Sequence, residues 1–160
     1  MKSRAAIRNH PIHPLLVPIP IGAFFMALVG DVASIGGSHI AFWHSLSFVC
    51  IGVGIVFALL AAVAGAVDYF SVKMSARAFR IATSHALINL LVVGLYTVSF
   101  FLRRRDPTGN WAPGATLATL GFALLGVSGW LGGKLAYEHR VGVIDGPSEV
   151  PHRSESESVA

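Results

Sequence analysis

Four stretches of this chain are each long and apolar enough to cross a bilayer: residues 15–34, 42–67, 81–102 and 115–137. A transmembrane helix needs about 20 mostly apolar residues. In hydrocarbon, every backbone N–H and C=O must find its partner inside the protein, and a helix does this by itself. Strands of a membrane barrel would be shorter and would alternate in polarity. The runs therefore predict an all-α, integral membrane fold. Composition agrees: only 12% of residues are charged and 54% are hydrophobic, against about 25% charged in a soluble domain. This balance excludes a soluble globular enzyme, a disordered chain and a disulfide scaffold. The single cysteine, Cys50, has no partner within the chain.

The connections are short. Gly36-Gly37-Ser38 breaks the chain after the first run, residues 71–80 join the second to the third, and Asp106-Pro107-Thr108-Gly109-Asn110 is a turn signal before the fourth. Short loops make successive helices antiparallel neighbours, so an up-down-up-down four-helix bundle is expected. No sequence repeat is evident. The expected organisation is an N-terminal tail at 1–9, a transmembrane domain at 10–141 and a disordered tail at 142–160, where Gly146-Pro147 and the alternating Ser154-Glu155-Ser156-Glu157-Ser158 run lie.

Charge orients the bundle. Lys2, Arg4, Arg8, Lys73, Arg77, Arg80, Lys134, Arg140 and Arg153 fall on one side, against Arg103, Arg104 and Arg105 on the other. The positive-inside rule places both termini in the cytoplasm, as in a bacterial inner membrane, with the arginine triplet as a conflicting signal. The basic residues border apolar runs, so lipid is the expected partner and nucleic acid is not. Pro11, Pro14, Pro18 and Pro20 interrupt the apolar core that a signal peptide would need, Asp31 sits close to any cut and three more spans follow, which favours an uncleaved first span over a signal peptide.

Residues three and four apart share a helix face. On this spacing Phe24, Ala27 and Asp31 form one stripe, which His13 joins if the helix stays regular through its prolines. His44, Ser47, Ile51, Gly54, Ala58, Ala61, Gly65 and Asp68 form a second. His85, Asn89, Val92, Tyr96 and Ser99 form a third, and Gly129, Gly132, Ala136 and His139 a fourth. The small residues read as close helix packing, or as space for a flat cofactor. His10, His13, Asp68, Tyr69, His85, Tyr137 and His139 come level at one end, with Asp31, His39 and His44 at the other. Ionisable residues in spans mark sites, but each has a structural alternative: solvation or capping for His10 and His13, a loop ion pair with Arg80 or Lys73 for Asp68, an interfacial place for His139, and a pair with His44 for Asp31. His85, inside its span with Asn89 one turn on, is the hardest to read that way. Trp43, Trp111 and Tyr137 read as interface anchors.

The ordered set His10-Pro11-Ile12-His13-Pro14-Leu15-Leu16-Val17, Pro20-Ile21-Gly22, Gly65-Ala66-Val67-Asp68-Tyr69, His85 with Asn89, and the segment from Gly132 to Val143 resembles a bacterial and archaeal membrane-protein family known as domain of unknown function 2231. The resemblance covers about residues 10–143 and implies a four-helical membrane protein. Some members are joined to Rieske-type iron–sulfur domains, which implies an association with electron transfer. This chain lacks a Rieske ligand set, so a redox role needs another cofactor or partner.

Three functions compete. The first is a redox-associated membrane subunit. It would bind b-type haem through His13 and His85, with His139 as the alternative ligand, or a transition metal through His13, Asp68, His85 and His139, a donor set that suits Zn, Cu or Fe. The second is a cofactor-free subunit or anchor for a membrane or soluble redox or regulatory partner. The third is a small proton-linked transporter, weakened by an apolar bundle centre. A hydrolase is disfavoured because no Gly-x-Ser-x-Gly motif occurs.

Overall fold

A computed structural model describes residues 4–8, 10–105, 110–141 and 143. A short antiparallel pair of strands, β1 (Ala6–Ile7) and β2 (His10–Pro11), leads into α1 (Ile12–Leu16) and α2 (Pro18–Ile35). Three long helices follow: α3 (Ile40–Ser71), α4 (Ala76–Arg105) and α5 (Ala112–Tyr137). With α1 and α2 counted as one span over Ile12–Ile35, four helical stretches are long and apolar enough to cross a membrane. The expected fold class holds. Of the turn expected at 106–110, residues 106–109 lie outside the described residues, as does the tail expected at 142–160 apart from residue 143.

The helix boundaries have local causes. Pro18 and Pro20 have no N–H, so the carbonyls of Pro14 and Leu16 lose their usual partners and the first span divides at Val17. The bonds from Val17 N–H to His13 and from Ile21 N–H to Val17 carry the helical path across the break. Gly37, at φ 76°, takes the left-handed conformation that ends α2. The Ser75 hydroxyl accepts the Ala78 N–H at 3.2 Å to start α4, and the Asn110 side chain accepts the Ala112 N–H at 3.0 Å to start α5.

α2 packs chiefly on α3 and α4 chiefly on α5, so the bundle is two tight hairpins laid against each other. Their common core is Phe24, Ala27, Ile51, Val92, Tyr96 and Ala118. At its centre the Phe24 and Tyr96 rings stack at 3.7 Å between centroids, nearly parallel. Gly54 and Gly121 make this possible. A Cβ on Gly54 would run into the Phe24 ring, and one on Gly121 would come within 2.9 Å of Tyr96. The outer surface is apolar, with Val32, Leu60, Leu87 and Leu90 all at least half exposed, as expected of a face solvated by lipid. Hydroxyls of Thr83, Thr97 and Thr116 on the helices donate to the carbonyl one turn back, which satisfies them without water.

The buried faces follow the stripes read from sequence in α2, α3 and α4. In α5 one member of the expected stripe drops out. Gly114, Ala118, Gly121 and Ser128 are buried, with Gly132 on the same line, whereas Gly129 faces open space.

Candidate functional site

The polar side chains gather at two ends of the bundle, separated by the Phe24–Tyr96 stack. At the first end, His13 on α1 and His85 on α4 meet edge to face, with ring centroids 6.3 Å apart. Each imidazole is held by the backbone of the other helix in its own hairpin. His13 Nδ1 lies 2.8 Å from the Ala61 carbonyl on α3, and His85 Nδ1 lies 2.9 Å from the Ser128 carbonyl on α5. A carbonyl oxygen only accepts, so both Nδ1 atoms carry a proton, and in the neutral ring Nε2 then presents a lone pair. The Ser128 hydroxyl also lies 3.0 Å from His85 Nδ1. The Asn89 amide, one turn beyond His85, donates to His85 Nε2 at 3.1 Å and to the Ser128 hydroxyl at 2.7 Å.

Glycines seat the two rings. A Cβ on Gly65 would stand 3.1 Å from His13 Nδ1, and one on Gly132 would stand 3.2 Å from His85 Cε1. The space these glycines leave is therefore taken by the histidines. Gly65 and Gly132 leave no free space of their own for a flat cofactor.

The remaining expected ligands stand apart from the pair. Asp68 Oδ1 accepts the backbone N–H groups of Arg4 and Ala5 at 2.8 and 3.1 Å. Its visible task is to tie the N-terminal strand segment across this end. His139 Nε2 is buried without a hydrogen-bond partner. Among the described residues, no group of three or more His, Cys, Asp or Glu side chains is placed to hold a metal ion. The four-ligand set of His13, Asp68, His85 and His139 is thus not assembled. What the structure brings together is the pair. Elsewhere at this end, Tyr69 OH and Thr83 Oγ1 share a hydrogen bond of 2.8 Å, and His10 Nδ1 lies 3.0 Å from the Arg8 carbonyl.

The opposite end holds a feature that the charge count concealed. Arg103, assigned from sequence to an external basic loop, is only 2% exposed and points inward. Its guanidinium grips Asp31 with two bonds, Nη1 to Oδ1 at 2.6 Å and Nη2 to Oδ2 at 2.7 Å. Ser47 donates to the same carboxylate at 2.7 Å and accepts from Nη1 at 2.9 Å. The guanidinium Nε donates to Ser99, whose hydroxyl donates onward to the Gly114 carbonyl. Every polar atom of the carboxylate–guanidinium contact thus has a partner, which is the condition under which a buried ion pair survives. Gly114 makes room for the arginine: a Cβ there would be 3.0 Å from Arg103 Nε. Trp111 lies under the guanidinium at 4.9 Å and stacks on His44 at 3.9 Å. It belongs to this polar layer. Asp31, for which a pairing with His44 was one expectation, pairs with Arg103 instead. The stripe His85, Asn89, Val92, Tyr96 and Ser99 reaches Arg103 at the next step of four, so the helical spacing contained the signal.

Residues 9–145 match the family model described as "Predicted membrane protein (DUF2231)". No curated protein and no solved structure matches the chain.

Proposed function

The chain belongs to the DUF2231 family of predicted membrane proteins, and we propose that it is a membrane subunit whose chemical centre is the His13–His85 pair, a two-imidazole site for a single transition-metal ion. The observation that carries this reading is the way both rings are held. Ligating histidines commonly donate the second ring N–H to a backbone carbonyl, which fixes the tautomer and aims the other nitrogen. Both rings here have that arrangement, supplied by Ala61 and Ser128. Imidazole donors suit Zn, Cu, Ni and Fe. An ion would draw on the Nε2 lone pairs, with the Asn89 amide giving way at His85. Electron exchange with a membrane or soluble redox partner is the extension of this reading that a redox-active metal would support.

The orientation proposed with it places both termini in the cytoplasm of a bacterial inner membrane. Burial of Arg103 against Asp31 supports this, because that arginine no longer counts as a loop charge. Arg104 and Arg105 then stand alone against the nine basic residues on the terminal side.

A second reading is favoured by one contact. His85 Nε2 already accepts from Asn89, so the pair is complete as a packing device in a cofactor-free subunit. Elemental analysis and uptake of added Zn²⁺ by protein extracted in mild detergent without chelators separate the two. The metal reading expects about one ion per chain, lost in both His13→Ala and His85→Ala and kept in Thr83→Ala. Full occupancy in His85→Ala would remove that residue from the site. Failure of the native chain to take up metal would leave the packing reading.

A further inference from the structure

We infer that this chain is a tandem duplication of one helical hairpin, and that each half is the other's docking partner across a pseudo-twofold axis running along the bundle. The contacts between hairpins carry the inference. Asp31 and Arg103 are 72 residues apart. The same separation holds for the edge-to-face pair His13 and His85 and for the stacked pair Phe24 and Tyr96. A residue that lies on a twofold axis touches its own equivalent. Three successive layers of the first and third spans do this, spread from one end of the bundle to the other.

The second helix of each hairpin repeats with a shift of 67. His44 stacks on Trp111, its equivalent under that shift. Gly54 and Gly121 seat the two core rings, and Gly65 and Gly132 seat the two histidines. Ala61 and Ser128 supply the two carbonyls that hold those histidines. Each hairpin therefore repeats its internal contacts as well as its contacts across the axis. The five-residue difference between the shifts is absorbed in the connection within each hairpin. Under the same shifts His13, Leu15 and Gly22 meet His85, Leu87 and Gly94 as identical residues, and Gly22 and Gly94 both face open space. Elsewhere the halves have diverged.

The divergence has a consequence at the charged layer. Two copies of the first hairpin would set Asp31 against Asp31, and two copies of the second would set Arg103 against Arg103. The ion pair makes the first half specific for the second, an electrostatic device against pairing like with like. The axis also bears on the metal reading, on which this one point rests: an ion held by His13 and His85 lies where both halves approach it alike. Transporters built from repeats likewise place their sites at the interface between the repeats.

The test exchanges residues between equivalent positions in the full chain. Around Arg103 the second half provides Ser99 and Gly114, where the first half has Ala27 and Ser47 around Asp31. Simple charge reversal, Asp31→Arg with Arg103→Asp, puts an arginine into the pocket built for an aspartate. Its yield of monodisperse protein in detergent should fall below about a fifth of native. Adding Ala27→Ser, Ser47→Gly, Ser99→Ala and Gly114→Ser moves the residues around the two charges across the axis, leaves the His44–Trp111 stack in place, and should restore at least about half of native yield. A six-residue exchange no better than the simple reversal would overturn the equivalence. At the centre, Phe24→Tyr with Tyr96→Phe should keep at least about half of native yield, and a fall below about a fifth would count equally against it. These readouts concern folding alone, so their failure is distinct from a failure of metal binding.

Discussion

Arg103 shows how one residue's environment can reverse the meaning of its charge. Beside Arg104 and Arg105 it reads as part of a basic loop, and a count of loop charges treats the three alike. The helix makes them unlike, because a step of four from Ser99 turns Arg103 inward toward Asp31 while its two neighbours leave that face. Removing one partner of a buried ion pair leaves the other uncompensated and costs about 3–5 kcal/mol. Arg103→Ala should therefore destabilise the folded protein by about that amount, while Arg104→Ala should stay within about 0.5 kcal/mol. Denaturant unfolding in detergent checks both, and equal effects would remove the ion pair as a staple. His85 was the histidine least open to a structural reading in the sequence, and it does stand at the meeting of the hairpins. Its carbonyl partner Ser128 was not foreseeable, because a backbone acceptor on another helix leaves no mark in residue type.

At the scale of elements, the spans were legible to within a few residues because hydrocarbon solvation demands long apolar runs. The buried faces of α2, α3 and α4 were legible because a single polar or aromatic line marks each one. The face of α5 was legible only in part. Its glycines occur on several sides, and the Gly129-Trp130-Leu131-Gly132-Gly133 cluster drew Gly129 into the stripe with Gly132, where Ser128 is the buried residue. The structure sets Gly121 against Tyr96 and leaves nothing within 4 Å of Gly129. A methyl group at Gly121 must displace an aromatic ring held in a stack, and overpacking of this kind costs about 1–3 kcal/mol. Gly121→Ala should lower stability by that amount, and Gly129→Ala should be neutral or slightly stabilising through better helix propensity. Thermal unfolding of the two variants decides which of these glycines faces the bundle, and the reverse order would return Gly129 to the buried stripe.

For the whole molecule, the two hairpins enclose a centre of stacked aromatic rings, with an imidazole pair at one end and a buried ion pair at the other. The repeat that relates them was invisible in the sequence for a physical reason. Even on the axis the halves are complementary and not alike, with Phe24 against Tyr96 and Asp31 against Arg103, and the lipid-facing positions between accept any apolar side chain. The topology follows from the same arrangement. Reporter fusions at Gly36 should read as external and at Ser75 as cytoplasmic. A shared side for Gly36 and Ser75 would contradict the bundle, and the reverse assignment would contradict the orientation alone.

The claim on which the functional account rests is that both histidines carry their proton on Nδ1 and offer Nε2 to a common ligand, with the Asn89 amide giving way at His85. Nitrogen-15 NMR of histidine-labelled protein in detergent measures this directly, with His13→Ala and His85→Ala giving the assignments. The account predicts the Nδ1–H tautomer for both rings, and movement of both Nε2 resonances together on addition of one equivalent of Zn²⁺. A proton on Nε2 of either ring, or Nε2 resonances that ignore the metal, would contradict it.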